Sequence, residues 1–335
     1  MIVVFDTNIW KSSLYLQSPA AAATRLFLRQ KGARVGLPEV VRLELERHLK
    51  KDVRVLIETT RSNHERLLRM FGTLRELVLP TDNHVEELSA RIYEALGVEL
   101  VDIPFSLESA RDSFLRTVDK TPPSDRTQQF KDGVLWADCV ALLQAHEVWL
   151  VTDDHAFYED HTPEKGIVQA LAAEVANASH RLSLVSSLGG LLRDFRVELE
   201  LDAETLSKVI LQETKNRAIE LITRNGFDLG ERTKLQRNLF ATEDPRILFL
   251  EFVIEYECPD ATASGRPPAV LTIKGDATFN TETNMFSKLR SFGEALRFTS
   301  EDGTEKELKN VVMHAEGIVL GHRHVSNTVR YKLDE

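Results

Sequence analysis

Ile2-Val3-Val4-Phe5-Asp6-Thr7-Asn8 decides the architecture of this chain. The apolar run is too short and too β-branched for a helix, and it predicts a buried strand. An aspartate follows at once, where a strand of an open α/β sheet reaches its carboxyl end. Such ends share one edge of a parallel sheet, and binding sites form in the crevice there.

The following segments alternate helix and strand. Pro19 to Gln30 is alanine-rich and helix-compatible, and Arg34 to Leu37 is a second short strand. Pro38, favoured in a first turn, opens a helix with Val41, Leu45 and Leu49 on its apolar stripe. A long helical stretch is expected over 52–77. Another is expected over about 83–96, with Asn83 and Glu86 spaced as a capping box and Val85, Leu88, Ile92 and Leu96 on one face. A polar loop (120–129) leads into a helix over 131–145, a strand at Val148–Val151 and a last strand at Leu182–Val185. This order implies a three-layer α/β/α domain with a mostly parallel sheet over residues 1–190.

Beyond about residue 190 the pattern changes, with the boundary at 190–200, or as late as 240 if the next helix belongs to the first domain. A helix is expected over 203–223, and then Leu248, Leu250, Phe252, Ile254 and Tyr256 alternate with Glu251, Glu255 and Glu257. Two-faced alternation of this kind marks a half-covered antiparallel sheet. Glu301-Asp302-Gly303-Thr304 is a hairpin turn, and Val311–Leu320 and Thr328–Leu333 supply further strands. The expectation is a smaller α+β binding or assembly domain over 200–335.

Composition bounds the function. The 335 residues carry 42% apolar and 28% charged side chains, as a globular protein does. Cys139 and Cys258 are too few for a disulfide framework or a zinc ribbon, so a reduced, cytoplasmic setting is expected. No signal peptide and no membrane-spanning segment is expected. The net charge of −10 argues against a non-specific duplex DNA binder. Arg25 to Arg75 departs from that balance, with 13 Lys and Arg against 6 Asp and Glu. The block is either a solvated helix face or a phosphate-steering surface around Glu44, with Arg42, Arg47, Lys50 and Lys51 its nearest cations.

Four acids stand out: Asp6, Glu44, Asp132 in Phe130-Lys131-Asp132, and Asp154 in Val151-Thr152-Asp153-Asp154. Carboxylates gathered at one sheet edge repel one another unless a cation holds them, which points to a Mg²⁺ or Mn²⁺ hydrolase site. A helix N-cap is the alternative for Asp6. Glu39 and Glu46 cannot share the face of Glu44. Asp132, in a first turn, is expected in the site and Asp138 on the polar face. Spacing does not choose between Asp153 and Asp154. Thr7 and Asn8 can hydrogen-bond a carboxylate or a phosphate. His48, four residues after Glu44, either bonds it or covers the surface. His322 and His324 are expected in a solvated loop. No nucleotide-binding glycine motif occurs, and a phosphotransferase of the haloacid-dehalogenase kind would need an aspartate where Asn8 stands.

The ordered set Asp6-Thr7-Asn8, Glu44 six residues after a proline, Asp132 opening a helix and Thr152-Asp153-Asp154 resembles a PIN domain. The closer likeness is to larger bacterial PIN-like proteins with an added domain, over roughly residues 1–155. The resemblance implies a metal-dependent endoribonuclease of the toxin, defence or RNA-processing kind. Asp6, Glu44, Asp132 and Asp154 would then be its catalytic and metal-binding acids, with Asn8, Thr152 and Asp153 behind them. Single-stranded or structured RNA would be the substrate, and an inhibitor protein or a second copy would meet the C-terminal domain. A catalytically inactive PIN-like scaffold that binds RNA or protein is the alternative.

Overall fold

The computed structural model describes residues 1–13, 19–199, 203–262, 265–283, 285–300 and 303–310. The chain forms two compact units, one of Met1–Ala21 and Phe27–Leu191, the other of Ala22–Leu26 and Leu192–Glu335.

The first unit is built on β1 (Ile2–Phe5), α1 (Thr7–Ser13), the two ends of α2 (Pro19–Gln30), β2 (Arg34–Pro38), α3 (Glu39–Phe71), α4 (Asp82–Glu94), β3 (Leu100–Ile103), α5 (Leu107–Asp119), α6 (Phe130–Leu142), β4 (Val148–Val151), α7 (Gln169–Val175), β5 (Leu182–Val185) and α8 (Leu188–Leu191). Its five strands are all parallel and lie in the order β3-β2-β1-β4-β5. The first strand is central: Val3 stands beside Val35 on one side and Trp149 on the other. A strand with neighbours and helices on all sides has no polar face, which is why Ile2, Val3, Val4 and Phe5 are fully buried. The chain leaves β1 in one direction for β2 and β3, and in the other for β4 and β5. The gap between the ends of β1 and β4 is therefore the topological switch point.

Several boundaries differ from the sequence expectation. The helix after Pro38 does not stop before 52 but continues to Phe71, ending at Gly72 with φ 77°. No breaker separates the two helical stretches, so they fuse. Val41, Leu45, Leu49 and Val53 are its buried stripe, and none of residues 54–71 is buried. A capping box at the start of α4 is formed by Thr81 and His84, with the His84 ring taking the Thr81 amide at 3.0 Å, while the side chains of Asn83 and Glu86 lie outside those described. Pro38 ends β2 instead of opening the helix, and α6 spans Phe130–Leu142.

Among the described residues the second unit contains α9 (Ala203–Arg224) and five strands, β6 (Arg232–Ala241), β7 (Ile247–Cys258), β8 (Ala269–Asn280), β9 (Met285–Thr299) and β10 (Glu305–Asn310). Each pairs antiparallel with the next, so the sheet is a simple meander. Leu206, Ile210, Ala218 and Ile222 of α9 share one core with Leu250, Ile254, Leu271 and Ile273 of the sheet. The alternation read in β7 is thus the helix-covered face. Val311–Leu320, Thr328–Leu333, His322 and His324 lie outside the described residues.

α5 and α6 approach closely at Gly133, the residue after Asp132. A Cβ there would stand 2.3 Å from Ser113 Oγ and 3.1 Å from the Ser113 Cα. The same Ser113 hydroxyl donates to the Phe130 carbonyl at 2.6 Å, fixing the first turn of α6. Gly133→Ala should therefore destabilise the protein by about 1–2 kcal/mol, overpacking outweighing the gain of roughly 1 kcal/mol in helix propensity. Chemical denaturation of the two proteins measures this, and greater stability in the Gly133→Ala protein would refute the close packing.

Candidate active site

Asp6 follows β1 directly, and its backbone N–H donates to the Val151 carbonyl of β4 at 3.0 Å. It is 6% exposed. One carboxylate oxygen accepts from the Thr7 amide at 2.6 Å and the other from the Thr152 hydroxyl at 2.6 Å. Its side chain therefore bonds the adjacent amide rather than the second or third amide of α1 that an N-cap would take.

Two threonines carry this acid to its neighbours. The Thr152 hydroxyl, fully buried, donates to Asp6 and accepts from the Asp154 amide at 3.0 Å. Asp154 in turn caps the short turn His155–Phe157, accepting from the Ala156 amide at 2.8 Å. On the other side the Thr7 hydroxyl donates to Glu44 Oε2 at 3.0 Å. A continuous chain of hydrogen bonds thus runs Glu44–Thr7–Asp6–Thr152–Asp154. The second carboxylate oxygen of Glu44 pairs with the Lys131 ammonium, and His48 Nε2 lies 3.8 Å from it.

Asp132 enters from the first turn of α6 and is half-buried. Burial raises its pKa to about 7, and the Asp154 and Asp6 charges add to the rise while Lys131 opposes it. Asp6 is raised to about 6, first by burial and then by Asp154 and Asp153, against the two threonine hydrogen bonds. Asp6, Asp132 and Asp154 therefore lie within electrostatic reach of one another, as carboxylates do where a cation belongs. Hard oxygen donors in this number suit Mg²⁺ or Mn²⁺, and Mg²⁺ takes one or two carboxylates and keeps its waters. Among the described residues no three acids, histidines or cysteines stand close enough to hold one ion jointly. The donor chemistry fits such an ion; a three-carboxylate cage is not what this arrangement offers.

Asp138, expected on a polar face, is instead 3% exposed. Its Oδ1 accepts from the Ser109 hydroxyl of α5 at 2.7 Å, its Oδ2 has no hydrogen-bond partner, and burial raises its pKa to about 6. α6 is covered on two sides, by the sheet and by α5, so a helix projection drawn in isolation misplaces it. Cys139 is fully buried, and burial, Asp138 and Asp6 all hold its thiol protonated, which removes it as a nucleophile. The amide oxygen of Asn8 is buried without a partner, and Asp153 is exposed.

The basic residues divide. Lys51 lies two turns after Glu44 on the same helix face and Arg47 about 60° from it, while Lys50 and Arg42 are turned roughly 120° and 160° away. Arg42 also pairs with Glu39 at 3.5 Å and Glu46 at 3.9 Å. Thr7, expected to be able to hydrogen-bond a carboxylate, does so to Glu44, whereas Lys131 is a contact of Glu44 that residue spacing did not assign. Its sequence signal is adjacency to Asp132.

A carboxyl whose pKa rises on folding holds its proton more tightly in the folded state. Its stability contribution is then lost as pH rises from about 4 towards 7, the window spanned by Asp6 and Asp132. For Asp6 the rise from 3.8 to about 6 corresponds to roughly 3 kcal/mol. Metal-free Asp6→Asn protein should melt above wild type near pH 8, by about 1–3 kcal/mol of stability, with the gap closing below about pH 5. Identical melting curves near pH 8 would contradict the charge strain.

Comparison with curated proteins and with solved structures finds no match. Comparison with family models does, and residues 3–157 match the model described as a PIN domain. The matched stretch runs from β1 to the turn capped by Asp154 and contains all four acids. PIN domains are generally nucleases and typically use divalent metal ions. Residues 3–157 of this chain are a PIN domain.

Proposed function

We propose that the protein is a Mg²⁺- or Mn²⁺-dependent endoribonuclease that prefers single-stranded RNA. The observation that carries this is the burial of Asp6 and Asp132 within reach of the Asp154 charge at the switch point of a PIN-domain sheet, where burial first and neighbouring carboxylates second raise the pKa of Asp6 and Asp132. Asp6, Glu44, Asp132 and Asp154 would supply metal ligands no more than two to an ion, with water completing the coordination, and the bound metal would polarise the phosphodiester and lower the pKa of its water.

The chain's own groups do the rest. Thr7 and Thr152 fix the carboxylates of Glu44 and Asp6 through their hydroxyls. Buried at β1 and β4, they leave little freedom for either acid. Asn8, with an amide oxygen lacking a partner, and Asp153 complete the surroundings. Arg47 and Lys51, exposed along the Glu44 side of α3, attract the RNA backbone, with Arg42 and Lys50 contributing to the wider basic block. The second unit, a helix on an antiparallel meander, serves as a binding or assembly module, and its partner is an inhibitor protein or a second copy.

One observation favours a second reading, a PIN scaffold that binds RNA without cutting: the described acids include no set of three around one point. The two are separated by cleavage assays on purified protein. Asp6→Asn should reduce Mg²⁺-dependent cleavage of a single-stranded RNA at least about 100-fold while leaving the circular dichroism spectrum unchanged. Cleavage that survives in Asp6→Asn, or that persists in EDTA, rejects the metal-nuclease assignment. RNA binding without cleavage in wild type selects the scaffold.

Steering by α3 has its own signature in salt. Reversing Arg47 and Lys51 to Glu should lower the slope of log affinity against log salt by about 1–2, since each phosphate contact on a single strand contributes about 0.7. An unchanged slope returns these residues to ordinary solvated surface.

A further inference from the structure

The acidic site already contains a cation. Lys131, next in sequence to Asp132, places its ammonium on Glu44 Oε1. Glu44 Oε2 is taken by the Thr7 hydroxyl at 3.0 Å, and His48 Nε2 stands 3.8 Å from Oε1. The Lys131 side chain is 55% exposed and Glu44 only 21%. The glutamate is thus fixed by the fold, whereas the lysine reaches it from solvent on a flexible stem.

A divalent ion bound by Glu44 and an ammonium paired with Glu44 compete for the same lone pairs, and their charges repel. Neither Thr7 nor His48 needs to move when the ion arrives, because neither is a fixed positive charge on that oxygen. Lys131 does. Resting on the metal-nuclease assignment, we infer that Lys131 is a placeholder cation: it neutralises Glu44 in the metal-free protein and must be displaced before a divalent ion can use that carboxylate. Once displaced, the ammonium is free to pair with a phosphate oxygen of bound RNA. RNA that draws Lys131 away from Glu44 then favours metal binding, and metal that expels it favours RNA, a coupling that is reciprocal by necessity. The device keeps Glu44 paired until substrate is present.

Calorimetric titration of Mn²⁺ into full-length protein, without RNA, tests this independently of activity. Lys131→Met removes the competing charge and keeps the stem, so it should bind Mn²⁺ about two- to fivefold more tightly than wild type, the scale of an exposed ion pair. Lys131→Arg keeps the charge and should stay near wild type. In a Glu44→Gln background the Lys131→Met gain should vanish, since the carboxylate competed for is gone. Thermal melts check that each variant folds, and Lys131→Gln replaces Lys131→Met if the latter does not. Equal or weaker Mn²⁺ binding by the neutral variant, beside a wild type that binds, overturns the placeholder while leaving the metal site standing. Mn²⁺ binding by neither wild type nor Lys131→Met overturns both.

Discussion

Holding several carboxylates in one poorly hydrated place is the constraint on which the first unit depends. Each anion loses water when buried and gains a like-charged neighbour, and both effects push its proton on. The fold resists this with buried threonine hydroxyls and with a rigid parallel sheet whose two central strand ends cannot drift apart. Thr152 is the clearest case. It is fully buried, lies at the end of β4, and bonds Asp6 at 2.6 Å while receiving the Asp154 amide at 3.0 Å. The sheet order supplies the location: a crevice opens where the strand connections diverge, and segments from several elements can bring their acids to it.

Much of this was legible in the residues. Ile-Val-Val-Phe before an aspartate has few physical interpretations, and β1 lies where that run predicts it. Val41, Leu45 and Leu49 announced the buried stripe of α3, and the β7 alternation announced a one-sided sheet. Other elements carried weak local signals. β3 is Leu-Val-Asp-Ile, a strand with a charge at its third position, and α5 buries only Ser109 and Ser113 while leaving Leu107, Phe114 and Val118 exposed. Apolar periodicity therefore points away from the face that α5 packs. Asp138 illustrates the same limit, since its burial depends on a hydroxyl 29 residues away that no projection of α6 contains.

The acids themselves divide along similar lines. Asp6 and Thr152 were marked by position, each ending a strand of apolar residues. Lys131 was not, because an exposed lysine on a first turn is ordinary until the tertiary fold sets a glutamate from another helix against it. Long-range ion pairs leave no periodic trace. They appear only when two elements, here α3 and α6, are brought into contact by the fold.

The length of α3 has a mechanical consequence. It is one uninterrupted helix of 33 residues, roughly 50 Å long, and Glu44 sits near its inner end. Only its first half is clamped, by Val41, Leu45, Leu49 and Val53. The outer half buries none of its residues, although His64 there bonds the Arg75 carbonyl at 3.0 Å, and a hydrogen-bonded rod transmits angle. Glu44 stands inside the clamp, between Val41 and Leu45, so a displacement of the far tip reaches its carboxylate only as a slight tilt. Whatever grips the distal turns of α3 thereby holds only a weak lever on the geometry of the acids.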